Sequence, residues 1–161
     1  PGDVVRFVTK EPYRITVSGR TKHFINVFGE EVMVHNTDQA IKETCHITDA
    51  IVSDYTVAPV FMENQNKGGH EWGIEFEKKP EDPALFEKLL DERLRCLNTD
   101  YDAKRYKDMA LMPLKMNVVP TNTFNLWLKH KGKLGGQSKI PRLANDRKYI
   151  TELMDFIKNV N

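Results

Sequence analysis

Long apolar runs are missing from this sequence, and nothing in it approaches the roughly 18 consecutive apolar residues of a membrane-spanning helix. It does not open with the basic start and apolar core of a secretory signal either. Lys and Arg number 24 against 23 Asp and Glu, and this net charge of +1 gives no overall field that attracts polyanions. We therefore expect a soluble, cytoplasmic protein that binds neither membranes nor nucleic acid.

Motifs for catalysis and metal binding are also scarce. The two cysteines, Cys45 and Cys96, form at most one disulfide and have no metal-ligand spacing, so buried thiols are the simpler interpretation. The five histidines are scattered, with no two at ligand spacing, and we predict no metal site. Glu30 and Glu31 are adjacent, and neighbours on a strand face opposite ways, so they do not predict a catalytic pair.

The composition that is present describes one folded domain. The 161 residues are 40% hydrophobic and 29% charged, which allows a substantial core, and we treat residues 1–161 as a single domain. Runs of β-branched and aromatic residues bounded by Gly or Pro predict strands. Asp82-Pro83 marks the start of a helix, and an apolar stripe from Tyr149 to Ile157 predicts a last helix that Asn145 caps. These elements predict an α+β fold with a small mixed sheet flanked by helices.

Positive charge is concentrated near the C-terminal end. Residues 129–148 hold seven Lys and Arg against one Asp, whereas residues 75–102 hold nine acids against five bases. Residues 129–139, which we call the lysine segment, combine four lysines with three glycines. Ammonium groups beside exposed glycine amides suit contact with phosphate, and a solvated surface loop is the alternative. No Gly-x-x-x-x-Gly-Lys-Ser/Thr pattern is present, so the main pocket for any nucleotide lies elsewhere.

A second segment of interest is Gly19-Arg20-Thr21-Lys22, between two predicted strands. Such a turn exposes a guanidinium beside a backbone pivot, and a charged β-turn without chemistry is the alternative. In order along the chain, Gly2-Asp3, this turn with Gly29 after it, and a lysine in a glycine-rich stretch match the last three core motifs of adenylate-forming enzymes. The sequence thus resembles that superfamily, which includes acyl-CoA synthetases, nonribosomal-peptide adenylation domains and luciferases.

Within the superfamily the sequence is most similar to the auxin-responsive Gretchen Hagen acyl-acid amido synthetases. The similarity rests on short motifs that follow one another in register along nearly the whole chain: Asp54-Tyr55-Thr56, Gly69-His70, Leu97-Asn98-x-x-Tyr101, Pro113-Leu114 with Val118-Val119, Thr123-Phe124 and Gln137-x-Lys139-x-Pro141-Arg142. The resemblance implies that residues 1–161 are the mobile C-terminal domain of such an enzyme. The abrupt start at Pro1-Gly2-Asp3 would then be its boundary with a large N-terminal adenylation domain.

The same resemblance implies roles for individual residues. Asp3 falls where the superfamily holds the ribose hydroxyls of ATP, and Arg20 where an arginine approaches the nucleotide. Lys22 falls on the hinge about which the small domain turns. Lys139 matches the late lysine that reaches the α-phosphate and the acyl carboxylate, and Lys133, which follows a glycine, is the rival candidate. ATP and Mg²⁺ are the implied cofactors, bound mainly by the N-terminal domain.

The function implied by the resemblance is ATP-dependent conjugation of a carboxylic acid to an amino acid through an acyl adenylate. The expected partners are the N-terminal domain of the same protein and the two substrates, and the isolated domain is expected to be inactive. One alternative keeps adenylation but ends in a thioester with coenzyme A. Another, from a different class, is a stand-alone module that grips a polyanion through the lysine segment.

Overall fold

The computed structural model describes residues 3–20, 24–62, 67–108, 110–132 and 140–160. Strands and helices alternate irregularly along these ranges: β1 (Asp3–Lys10), β2 (Tyr13–Arg20), β3 (Phe24–Ile25), β4 (Val32–Met33), α1 (Val34–Thr48), β5 (Ile51–Met62), β6 (Lys67–Lys78), α2 (Pro83–Leu97), α3 (Thr99–Arg105), β7 (Lys115–Val119), α4 (Thr123–His130) and α5 (Lys148–Val160). A short 3₁₀ turn, Tyr106–Asp108, follows α3.

The central sheet has three strands in the order β5-β6-β7. β5 and β6 are long antiparallel neighbours, and β7 pairs with the other edge of β6 in parallel after the chain has passed through α2 and α3. The hairpins β1–β2 and β3–β4 form separate two-stranded sheets. A small mixed sheet accompanied by helices is the α+β fold that the sequence predicted.

Helices pack on both faces of the central sheet, because alternate residues of β6 point opposite ways. Trp72 and Ile74 lie in the larger core with the apolar faces of α1 and α2. Gly73 faces α5, so close that a Cβ there would lie 3.3 Å from Cε of Met154. A smaller core on that side is built from β7, α4 and α5 and from the chain just before α5: Val119, Phe124, Trp127, Ile140 and Leu153.

The predicted cap of α2 is confirmed, and the predicted cap of α5 is wrong. Oδ1 of Asp82 accepts hydrogen bonds from the backbone N–H groups of Ala84 and Leu85, both at 3.0 Å. At α5 it is Asp146 that accepts from the backbone N–H of Lys148, at 2.9 Å. Asn145 instead bonds the chain around β3, accepting from Asn26 N–H and donating to the carbonyl of Phe24. A short polar side chain can satisfy distant backbone groups as well as its own helix.

Candidate functional site

The β1–β2 hairpin brings together two of the predicted nucleotide-contacting residues. In its antiparallel register Asp3 is the Cα partner of Arg20, at the end of the hairpin away from its turn. Opposed residues in such a ladder have Cα atoms about 4.5–5.5 Å apart. The backbone therefore places Asp3 beside Arg20. The predicted hinge, Lys22, lies outside the described residues, and so do both candidate lysines, Lys133 and Lys139.

The N-terminal end of the lysine segment is the end of α4. Gly132 closes that helix in the left-handed conformation, with φ of +66°, which favours glycine, and donates its N–H to the carbonyl of Lys129 at 2.9 Å. The ammonium of Lys131 bonds Glu152 of α5 at 2.5 Å and lies over the ring of Trp127. Gly132 itself is exposed, and a Cβ on it would have no atom within 4 Å.

The chain that follows the lysine segment is fixed to the sheet. Residues 140–144, which we call the anchor segment, run parallel to β5, with Leu143 bridged to Val57. Val57 donates its N–H to the carbonyl of Arg142 at 2.8 Å and accepts at its own carbonyl from Ala144 N–H at 3.1 Å. Ile140 and Leu143 are buried. Lys139 therefore immediately precedes backbone that the sheet holds in place.

Within the anchor segment, Arg142 makes an ion pair with α1. Its Nη1 donates to both carboxylate oxygens of Asp38, at 2.6 and 2.7 Å, and its guanidinium lies over the ring of Tyr55, 5.2 Å from the centroid. The Tyr55 hydroxyl donates to Oδ1 of Asp38 at 2.5 Å and lies 2.8 Å from the hydroxyl of Thr37. Burial and the hydrogen bond to Asp38 raise the pKa of Tyr55, so its hydroxyl stays protonated and keeps donating.

A cleft of about 370 Å³ opens beside this ion pair, between α1 and the first residues of β5. Its charged groups come from Asp38, Lys42, Asp54 and Arg142. Cys45 lines it as well, and burial raises the pKa of this thiol. A thiol with a raised pKa is a poor nucleophile, because the thiolate is the reactive form. Cys45 is only partly buried and Cys96 is exposed, so the expectation that both cysteines are buried thiols is wrong for Cys96.

A buried carboxylate–imidazole pair lies elsewhere in the larger core. Nε2 of His70 is 2.9 Å from Oε1 of Glu30, and neither side chain is exposed. Burial alone would raise the pKa of Glu30, but the hydrogen bond and charge of His70 and the N–H of Phe28 bring it below the usual value. Because no substrate reaches either side chain, the pair is structural and ties the chain after β3 to β6. Glu31 is exposed, so the two glutamates form no catalytic pair.

Several of the motifs on which the family resemblance rests contribute side chains to the core of the domain. Asn98 caps α3, accepting from the N–H of Tyr101 at 2.7 Å. The hydroxyl of Tyr101 donates to the buried Asp91 at 2.7 Å, and Asp91 makes an ion pair with Arg105 at 2.6 Å. Oδ1 of Asp91 also accepts from the N–H of Leu114. The sequence motifs around residues 97–101 and 113–114 thus meet in one buried polar network that joins α2, α3 and the chain leading into β7.

Neither a metal site nor a membrane span is found in the part of the chain that the structure describes. No group of three or more His, Cys, Asp and Glu residues there is arranged to hold a metal ion. None of the described helices combines the length and apolarity needed to cross a bilayer.

Solved structures of other proteins share this fold. The chain matches the GH3.15 acyl acid amido synthetase with a TM-score of 0.72 at 18% sequence identity, over 98% of this chain and 30% of that one. It matches the AtGH3.15 acyl acid amido synthetase in complex with 2,4-DB with a TM-score of 0.73 at 17% identity, over 97% of this chain and 30% of that one. At this identity the matches establish the fold. This chain spans 30% of the length of either protein.

The family follows from the sequence match. The model of the GH3 family C-terminal domain matches residues 35–148, which is most of the chain, and the chain therefore belongs to the GH3 family. The resemblance to the Gretchen Hagen enzymes is confirmed by this match. The matched range includes the lysine segment and the anchor segment. Asp3, Arg20 and Lys22 lie before the range begins. No curated protein matches the chain significantly.

Two of these side-chain contacts could not be predicted from the sequence. Tyr55 and Arg142 belonged to the motif series, but Asp38, which joins them, carried no signal because it lies 104 positions before Arg142. Glu30 and His70 were considered separately, and their pairing across 40 positions leaves no local pattern. The one sequence feature that drew attention to His70 was that Gly69-His70 belonged to the family series.

Proposed function

We propose that this chain is the C-terminal domain of an ATP-dependent acyl-acid amido synthetase, which adenylates a carboxylic acid and passes the acyl group to an amino acid. The observation that carries the proposal is the GH3 family match over residues 35–148, with the lysine segment inside it. Because the chain spans 30% of the two matched synthetases, we assign the pockets for the acid and most of the ATP site to a large N-terminal domain. The chain by itself is then inactive.

In the first step of this proposal, a carboxylate oxygen of the acid attacks the α-phosphorus of ATP. The bond from that phosphorus to the bridging oxygen of pyrophosphate breaks, and an acyl adenylate and pyrophosphate result. Two anions must approach one another, so an ammonium beside the α-phosphate stabilises negative charge where it builds up. We assign this role to Lys139. An ammonium that must reach one defined position is best carried by backbone that is held in place. Lys139 directly precedes the anchor segment, which the sheet holds, whereas Lys133 follows the exposed Gly132.

In the second step, the amine nitrogen of the amino acid attacks the acyl carbon. The bond from that carbon to the AMP oxygen breaks, AMP leaves with the electron pair, and the amine gives up its proton to solvent. The ammonium of Lys139 is no longer needed at this stage. We propose that the domain turns about Lys22, which withdraws Lys139 and opens a path for the amine.

We also propose that the β1–β2 hairpin lies beside that hinge. Asp3 and Arg20 are backbone partners at its open end, and Arg20 lies two residues before Lys22 along the chain. We propose that Asp3 holds the ribose hydroxyls and that Arg20 approaches the nucleotide, so both contacts are made where the domain pivots. Mg²⁺ accompanies ATP in this scheme, and the described residues of this chain are given no part in holding it.

Acid-dependent exchange of labelled pyrophosphate into ATP tests the first step in the full-length protein. We expect the wild type to exchange with members of a panel of aryl and alkyl carboxylic acids, and Lys139→Ala to lose about 10²-fold or more, as for other charge-stabilising groups. Lys133→Ala is the matched control, since it removes an equal charge from the same segment, and should stay within about threefold of wild type. Unchanged exchange in Lys139→Ala, or its loss in Lys133→Ala alone, contradicts the assignment.

The polyanion-binding alternative makes a different prediction. A stand-alone module would bind nucleic acid through the lysine segment, with affinity that falls steeply as salt rises. Under our proposal the 161-residue chain shows no such binding, and a filter-binding titration against single- and double-stranded DNA distinguishes the two.

A further inference from the structure

The guanidinium of Arg142 uses only part of its hydrogen-bonding capacity. Its Nη1 donates to both carboxylate oxygens of Asp38, and its plane lies over the ring of Tyr55. Within the described ranges of the chain, Nε and Nη2 have no hydrogen-bond partner, and the side chain is 41% exposed. The N–H bonds of Nε and Nη2 form a fork that matches the two oxygens of a carboxylate or a phosphate. Arg142 thus carries an unused double donor for an anion.

A second arginine makes a similar ion pair without leaving this fork free. Nε of Arg95 donates to Oδ1 of Asp102 at 2.6 Å, and the two side chains are 40% and 50% exposed. The pair of Arg142 and Asp38 has the same length, 2.6 Å, and nearly the same exposure, 41% and 42%. The two pairs differ in which guanidinium nitrogen is occupied, so Arg95 is a matched control for Arg142.

Arg142 lines the cleft between α1 and β5, and this cleft has the size of a small-molecule site. Its volume of about 370 Å³ lies at the lower end of the roughly 300–1,000 Å³ that such sites occupy. Lys42 also lines it, one helical turn after Asp38, and its exposed ammonium has no partner among the described residues. Much of the remaining lining is apolar: Ile41, Cys45, Ala50, Ile51 and Val52. This mixture suits a ligand with an apolar body and a group that accepts hydrogen bonds.

The charges of the cleft favour one class of such ligands. Arg142 and Lys42 are balanced by two carboxylates, those of Asp38 and Asp54. Asp38 accepts from Arg142 and from the hydroxyl of Tyr55. Oδ1 of Asp54 accepts from the backbone N–H of Tyr55 at 2.9 Å. The donors without a partner therefore belong to the two cations, which favours an anion. Because the lining has no excess positive charge, a singly charged carboxylate fits better than a phosphate dianion.

We propose that this cleft binds a small carboxylate with an apolar body. The carboxylate bonds the free fork of Arg142 and the ammonium of Lys42, and the body lies against the apolar residues of α1 and β5. The proposed function supplies two molecules of this chemistry, the free carboxylic acid and the amide product, which keeps the carboxylate of its amino acid. The inference rests on the proposed function for these two sources only. The site is separate from the acid pocket that we assign to the N-terminal domain.

Titration of the isotope-labelled 161-residue chain, followed by amide correlation spectra, tests the site. Isovalerate represents the acid and N-isovalerylglycine the product. We expect a Kd of about 1 mM for at least one of them, with the largest shifts in α1, the start of β5 and Arg142. The ligand that binds more tightly identifies the source. No binding of either, or shifts confined to other parts of the chain, would overturn the inference.

Three control ligands test the chemistry of recognition. Isovaleramide has the same shape without the charge, and acetate has the charge without the body, so both should bind at least about tenfold more weakly. Inorganic phosphate should produce smaller shifts than isovalerate at equal concentration. Equal binding of isovaleramide or phosphate would overturn the inference. Tighter binding of valine than of isovalerate would also overturn it, since the site would then recognise an ammonium as well.

Three variants test the residues. Arg142→Gln should weaken binding about tenfold or more and Lys42→Gln about two- to fivefold, whereas Arg95→Gln should stay within about twofold of wild type. Lys42 is exposed and makes no described contact, so Lys42→Gln keeps the test valid if Arg142→Gln fails to fold. Unchanged binding in Lys42→Gln and in a folded Arg142→Gln, or an equal loss in Arg95→Gln, would overturn the inference. None of these results bears on amide formation by the full-length protein, whose absence would instead overturn the proposed function.

Discussion

The helix that leads into the lysine segment is capped by a residue from the sheet. Asn122 precedes α4 in the left-handed conformation, with φ of 67°, and its side chain makes no cap bond. The carboxylate of Glu75, on β6, accepts instead from the backbone N–H groups of Asn122 at 2.9 Å and Phe124 at 3.1 Å. Glu75 is 6% exposed, so little water is available to replace these bonds. Replacing the carboxylate should therefore loosen α4 from the sheet.

Glu75→Gln keeps the shape of the side chain but turns one oxygen into an NH₂ group facing a backbone donor. A hydrogen bond to a charged group is worth about 1.5–3 kcal/mol, and the charge at the helix N-terminus adds about 0.3–1 kcal/mol. We therefore expect the free energy of unfolding to fall by about 2–4 kcal/mol, which lowers Tm by roughly 5–15 °C for a chain of this size.

Urea unfolding of the 161-residue chain, followed by far-UV circular dichroism, measures this loss. Glu77→Gln is the matched control, because Glu77 lies two residues along the same strand but is exposed. A surface change of that kind should cost no more than about 0.5 kcal/mol. Equal free energies of unfolding for Glu75→Gln and Glu77→Gln would refute the assignment of Glu75 as the cap of α4.

Two further predictions concern the hinge and the buried pair. In the full-length protein, Lys22→Pro should keep acid-dependent pyrophosphate exchange and lose amide formation; equal losses in both would contradict a hinge at Lys22. The folded-state pKa of Glu30 lies below its usual 4.5, so the pair stabilises the fold above that pH and loses its contribution as pH falls through the lowered pKa. The excess stability of wild type over Glu30→Gln should thus shrink as pH falls below 4.5 in urea titrations, and an excess that stays unchanged over that range would count against the pair.

The elements with local signals were predictable from the sequence. Asp82-Pro83 marks the start of α2 because the cap bonds residues only two and three positions away. The mixed sheet followed from strand composition and from helices placed between strands. The prediction that Asn145 caps α5 failed because its side-chain amide bonds Asn26 and Phe24, more than a hundred positions earlier. Tertiary packing determines whether such a side chain bonds a nearby or a distant partner.

The candidate site was predictable only in part, for the same reason. Arg142 and Tyr55 stood out through the family series, yet their common partner Asp38 sits on α1 and is brought to them by the packing of that helix on β5. The cap that Glu75 gives to α4 likewise joins elements 47 positions apart. Charge and motif content identified the lysine segment, whereas the contacts that hold the chain after it come from the sheet.

The central claim is that the full-length protein makes an amide through an acyl adenylate, and mass spectrometry of its products tests this most directly. The protein is incubated with ATP, the panel of aryl and alkyl carboxylic acids, and an equimolar mixture of the twenty amino acids with coenzyme A. Our account predicts an acyl–amino acid amide and an equal amount of AMP, both strictly dependent on ATP. An acyl-coenzyme A thioester as the product, or release of ADP in place of AMP, would contradict it.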